Sequence, residues 1–92
     1  MRTVGRRAIY LKVTFSNVSD LAAIAPGESA LVTELHLEPD VAAWLHAVGI
    51  GMGERITVLR RAAFGGPIHV RTSVGGEFAI ARSLARAIAT KP

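Results

Sequence analysis

The chain has 92 residues, half of them apolar, no cysteine and a formal net charge of +4. Such a length holds one domain with a modest core; the apolar share excludes a disordered segment, and the lack of thiols excludes disulfide stapling and thiolate chemistry. Charge is segregated: residues 1–12 carry four basic groups and no acid, residues 13–54 six acids and no Lys or Arg, and residues 55–92 seven basic groups against Glu77 alone, a pattern that bears on association rather than fold.

No apolar stretch is long enough, without Gly interruptions, to cross a bilayer. The opening Met1–Arg7 lacks the continuous apolar run of a secretory signal, so the expected location is cytoplasmic. Residues 1–17 read as a basic extension with an added strand over 9–15, where Ile9, Leu11, Val13 and Phe15 alternate with Tyr10, Lys12 and Thr14. Residues 18–92 read as the domain proper. Asn17 or Ser19 is placed to cap a short turn containing Leu21 and Ile24, and Pro26-Gly27-Glu28 is a turn.

Residues 30–37 favour a strand with Leu31, Thr33, Leu35 and Leu37 on one side and Val32, Glu34 and His36 on the other. Apolar residues on both faces imply a strand that curls. Pro39 or Asp40 starts a helix to Val48, with Val41, Trp44, Leu45 and Val48 as its buried stripe, Trp44 as lid of the core and Gly49 as its left-handed end. Glu54–Arg61 is a strand led by Ile56 and Val58, and Phe64-Gly65-Gly66-Pro67 is a loop. Residues 68–74 alternate, with Ile68, Val70, Thr72 and Val74 inward. Gly75-Gly76 suits a hairpin turn, Phe78 and Ile80 face inward, residues 82–86 form one helical turn, and residues 87–90 a closing strand. The expected fold is mainly β, a small closed or half-closed barrel of five or six short strands with one short helix near residues 40–48.

The order of these features resembles the FeoA family of small proteins of bacterial ferrous iron uptake. The matching residues are Leu21 with Pro26-Gly27-Glu28, Leu45 before Gly49-Ile50 and Gly53, Ile56 and Val58, Phe64-Gly65-Gly66-Pro67-Ile68, Val70, Gly75, and Phe78-Ala79-Ile80-Ala81 with Ala85 and Ile88. The resemblance covers residues 20–90 and implies an SH3-like barrel. Two departures stand out. The segment before Val18 is longer than the family needs, and after the strand ending at Ala81 only Arg82 is charged where the family commonly has a charged pair, with Leu84 apolar. The same barrel closes metal-dependent repressors of the diphtheria toxin repressor type, whose helix-turn-helix and metal ligands have no counterpart in the sequence.

Catalysis finds no support: Ser29, Ser73 and Ser83 have no base placed beside them, Glu34 and Glu38 read as solvated, and Gly49–Gly53 lacks the Lys-Ser/Thr of a phosphate loop. For metal, His36, Glu38 and His46 are the weak candidates, with Asp40 and His69 behind them, and their spacing forms no ligand motif. No cofactor is expected. Nucleic-acid binding through Arg55, Arg60, Arg61, Arg71, Arg82 and Arg86 is the alternative, opposed by the acidic region 20–54 and by the scarcity of free aromatics beyond Tyr10 and Phe64.

A protein partner fits the residues best. Leu35, Leu37 and Met52 form an apolar strip beside the helix, and Phe64 is either an aromatic anchor or a plug folded over an open barrel end. Arg60, Arg61, Arg71 and Arg82 supply charge for orientation. The resemblance implies that the partner is FeoB, the ferrous iron transporter with a cytosolic GTP-binding domain, and that the protein is a non-enzymatic accessory bound to the membrane only through it. A weak homo-oligomer is a further expectation. On this reading Phe64→Ala with Arg61→Glu weakens binding without harming the fold.

Overall fold

The computed structural model describes residues 19–92; the strand expected over 9–15 and the Asn17 cap lie outside the described residues. The strands are β1 (Ser19–Asp20), β2 (Ser29–Leu35), β3 (Arg55–Arg61), β4 (Ile68–Arg71), β5 (Glu77–Ile80) and β6 (Ile88–Lys91). They form one antiparallel sheet in the order β1-β6-β2-β3-β4-β5. Consecutive strands pair through β2, β3, β4 and β5, and β6 then inserts between β1 and β2. A 3₁₀ turn (Leu21–Ala23) and helices α1 (Pro39–Ala47) and α2 (Arg82–Arg86) complete the described chain. Among the described residues no helix is long and apolar enough to cross a membrane.

One cluster of buried side chains joins the sheet to its short helices. Val32, Ile56, Val58, Ile68, Val70, Ile80 and Ile88 come from the strands, and Leu21, Leu45, Ile50 and Ala85 from the connections. The inward set Ile56, Val58, Val70 and Ile80 is buried as its alternation predicts, while Phe78 is half-buried against the same cluster. Pro26-Gly27 is a turn, with the Glu28 N–H donating to the Ala25 carbonyl at 3.0 Å.

Two bulges bend the sheet and reset which side chains face the core. In β2, Val32 pairs with Thr90 but Glu34 with Ala89, so Thr33 is the extra residue. Ala30 and Val32 are therefore buried before the bulge and Leu35 packs inward after it, in place of the single face Leu31, Thr33, Leu35 and Leu37. In β3 the register shifts between Val58 and Arg60, leaving Leu59 unpaired. A bulge inserts one residue into a period-two pattern, so every later side chain changes face.

Trp44 is not a lid: it is 57% exposed, and Val41 is exposed as well. Leu45 is the buried residue of α1. The reason lies at the helix end. The Gly49 N–H donates to the His46 carbonyl (3.1 Å) and the Ile50 N–H to the Leu45 carbonyl (2.8 Å), the paired bonds of a Schellman ending. This turns Ile50 back beside Leu45, and both are fully buried. Gly49 sits at φ 99°, and a Cβ there would meet the Thr72 side chain at 3.2 Å. Gly49→Ala is accordingly expected to cost about 1–3 kcal/mol, measured by thermal or urea unfolding; an unchanged midpoint would contradict this account of the helix end.

Two smaller expectations also change. Asp20, not Ser19, precedes the 3₁₀ turn, and it makes no side-chain cap bond; Ser19 lies in β1 opposite Thr90. The fourth strand ends at Arg71, because Thr72 accepts from the Gly75 N–H at 3.0 Å and starts the turn. Val74 therefore stands at the turn, 83% exposed, instead of continuing the inward row.

Candidate partner-docking site

The bulge at Leu59 places Arg61 opposite Ile68, a fully buried residue. Its guanidinium is thereby drawn under the sheet end, where Nη1 donates to the carbonyls of Ala22 (2.6 Å) and Ile24 (3.0 Å). Ala22 lies in the 3₁₀ turn and Ile24 directly after it, so Arg61 ties the turn to β3. Charged donors on otherwise unpaired carbonyls are among the stronger protein hydrogen bonds.

Arg82 performs a similar task on the connection between β3 and β4. It opens α2 directly after β5, and its Nε and Nη2 donate to the Gly66 carbonyl at 3.2 and 3.0 Å; Nη2 also reaches the Ala62 carbonyl at 3.3 Å. The Ala62 N–H donates to the Pro67 carbonyl (3.0 Å) and the Gly66 N–H to the Ala63 carbonyl (3.1 Å). Both central residues of this four-residue turn have positive φ, 58° at Phe64 and 73° at Gly65. A bulky residue in that region is strained unless its surroundings hold it there. The Arg82 clamp and the two backbone bonds hold it, and the Phe64 ring projects fully into solvent, with 106% relative exposure. The plug alternative for Phe64 is thus overturned.

The apolar strip is narrower than expected. A groove of about 350 Å³ between β2 and α1 is lined by Glu34, Leu35, Ala42, His46 and Met52. Met52 is exposed, whereas Leu35 and Leu37 are half-buried against the core. Val41 and Trp44 add exposed apolar surface on α1; the helical spacing located this stripe but could not say which edge faces the core.

The arginines do not share one face. Arg71 pairs with Glu77 across β4 and β5 at 3.2 Å, Arg55 donates to the Ser29 hydroxyl at 3.3 Å, and Arg60 is exposed. The metal candidates are dispersed too. His36 meets Glu34 at 3.3 Å on the surface, Glu38 precedes α1, and His46 lies over the Gly51 backbone. Among the described residues no group of three or more His, Cys, Asp or Glu side chains is placed to hold a metal ion.

A family model for the FeoA domain matches residues 20–92. Among solved structures, the iron uptake regulatory protein FeoA is 27% identical, with a TM-score of 0.71, covering 80% of this chain and 96% of its own. FeoA from Chlorobium tepidum is 32% identical at a TM-score of 0.72, covering 78% of this chain and 68% of its own. Zinc-complexed FeoA from Stenotrophomonas maltophilia, described as a procaryotic SH3 domain protein and a candidate ferrous iron transport activating factor, is 24% identical at a TM-score of 0.62, covering 78% and 88%. Among curated protein sequences none matches the chain. The described domain is a mainly β, SH3-like FeoA fold, and the chain belongs to the FeoA family of non-enzymatic proteins associated with ferrous iron transport.

Proposed function

We propose that this protein is a cytosolic accessory of ferrous iron uptake that docks on the cytosolic part of a FeoB-type transporter, with the Phe64 turn as its principal anchor. The observation that carries the reading is a fully exposed aromatic held at positive φ by a clamped turn. A turn whose backbone is already fixed loses little main-chain freedom on binding, and buried aromatics dominate interface energetics. Met52 with the margins of Leu35 and Leu37 forms a secondary apolar contact, and Arg60 and Arg71 supply orienting charge.

Phe64→Ala is expected to leave unfolding free energy within about 0.5 kcal/mol of the parent, because the ring touches solvent. Affinity for the isolated cytosolic domain of FeoB should fall by about tenfold or more, as a buried aromatic anchor requires. Calorimetry or biolayer interferometry reads this directly, and undiminished affinity would remove the turn from the interface. Arg61→Glu is not a suitable companion change: Arg61 holds the 3₁₀ turn, so its reversal damages the fold as well as the surface. Arg82→Ala is the better second variant. It frees the turn while keeping Phe64, and it should weaken binding through lost pre-organisation of the turn together with the lost charge.

A further inference from the structure

Where α2 meets the 3₁₀ turn, Arg61, Arg82 and Arg86 line one cavity of about 280 Å³ with Asp20, Ala22 and Ala23. Two of these guanidiniums are fixed by bonds to backbone carbonyls, Arg61 on Ala22 and Ile24 and Arg82 on Ala62 and Gly66. Those bonds use Nη1 of Arg61 and Nε and Nη2 of Arg82, so among the described residues Nε and Nη2 of Arg61 and Nη1 of Arg82 have no bonded acceptor. Among the described residues the ion pairs within 4.0 Å are His36 with Glu34 and Arg71 with Glu77, and none involves these three arginines. Three positive groups thus converge on a concave surface with one carboxylate on its wall, and two of them are half-buried.

We propose that this basin binds carboxylate side chains of an acidic segment in a protein partner. Guanidinium is planar and matches a carboxylate through paired N–H donors. Because Arg61 and Arg82 are already immobilised, little side-chain freedom is lost when an anion arrives. Asp20 favours a singly charged carboxylate over a phosphate monoester, whose second charge it would repel. A broad anionic membrane surface would face the same repulsion. Arg82 also lines the basin while clamping the Phe64 turn, so one acidic and apolar segment can occupy both places. Only that adjacency rests on the docking reading; the basin itself stands on its own geometry.

The test uses the full chain, labelled with nitrogen-15, and an acetylated, amidated tetraglutamate peptide at low salt, read at the arginine Nε–H signals. Arg61, Arg82 and Arg86 should move together along one binding curve while Arg55 and Arg71 stay nearly still. The exposed Arg86→Gln variant should weaken the peptide about fivefold, and the control Arg55→Gln less than about twofold. Uniform movement of every arginine, or an Arg86→Gln variant that binds unchanged, would reduce the basin to diffuse attraction by a basic protein and overturn the proposal. So would saturation of the same signals by inorganic phosphate more tightly than by the peptide, or capture through them by phosphatidylglycerol vesicles, each of which assigns the basin elsewhere. None of these outcomes involves FeoB, so a failure of the Phe64 experiment leaves them intact.

Discussion

Val70→Asp is expected to abolish cooperative thermal unfolding. Val70 is fully buried in β4 between Val58 of β3 and Phe78 of β5, at the middle of the cluster that joins sheet and connections. A carboxylate there would lose its hydration, and among the described residues no cationic side chain is buried in the core. Burying an unpaired charge is among the few single changes that cost more than about 4 kcal/mol. A small domain holds on the order of 5–10 kcal/mol in total, so little or no folded population survives. Val70→Thr keeps the shape and places a hydroxyl, not a charge, at the site; it should lower the melting midpoint yet preserve a single transition. Retained cooperative melting in Val70→Asp would show that this face had been placed wrongly.

Leu45→Ala is expected to cost about 2–5 kcal/mol, the range for deleting a large buried aliphatic side chain. The loss has a particular consequence here. Helix α1 has nine residues, of which Leu45 is the buried one, and a helix that short is marginal without tertiary packing. Far-ultraviolet circular dichroism should therefore show lost helix, and amide exchange should accelerate across Pro39–Ala47 more than in β3 or β4. Trp44→Ala, despite removing a larger side chain, should change stability by no more than about 0.5 kcal/mol because the indole is mostly in solvent. If Trp44→Ala proved the costlier substitution, the indole would be the lid that the helical spacing alone suggests.

That pair of variants isolates what periodicity can and cannot say. Val41, Trp44, Leu45 and Val48 lie on one broad helical stripe by their spacing, but Leu45 is buried and Val48 half-buried while Val41 and Trp44 are exposed. Which edge of it meets the sheet was decided two and three residues beyond the helix, where Gly49 reverses the chain and Ile50 seals beside Leu45. Size alone favours Trp44 for burial; the helix ending favours Leu45. The same distinction applies to the arginines. Their number was plain in the chain, but their division into a clamp, a brace and free surface charges follows from the shift at Leu59 and from the start of α2 directly after β5.

The docking reading carries a structural economy. Arg82 and Arg61 both leave solvent to satisfy backbone carbonyls, and in doing so they fix the shape of the surface that Phe64 and Arg86 complete. Substitutions at Arg82 or Arg61 therefore report on shape and charge together, while those at Phe64 or Arg86 report on contact alone.

By itself the order of residues determined the strands from β2 to β6, the helix from Pro39, the turns at Pro26-Gly27 and Gly49, and the buried rows of β3 and β4, because these follow from local spacing and from glycine and proline geometry. Tertiary structure alone decided the facing of Leu35, Arg61 and Trp44 and the exposure of Val74. Each depends on where a strand gains an unpaired residue, a helix is turned back on the core, or a ladder stops, and those events are set by the neighbouring strand or helix rather than by the segment that carries the residue.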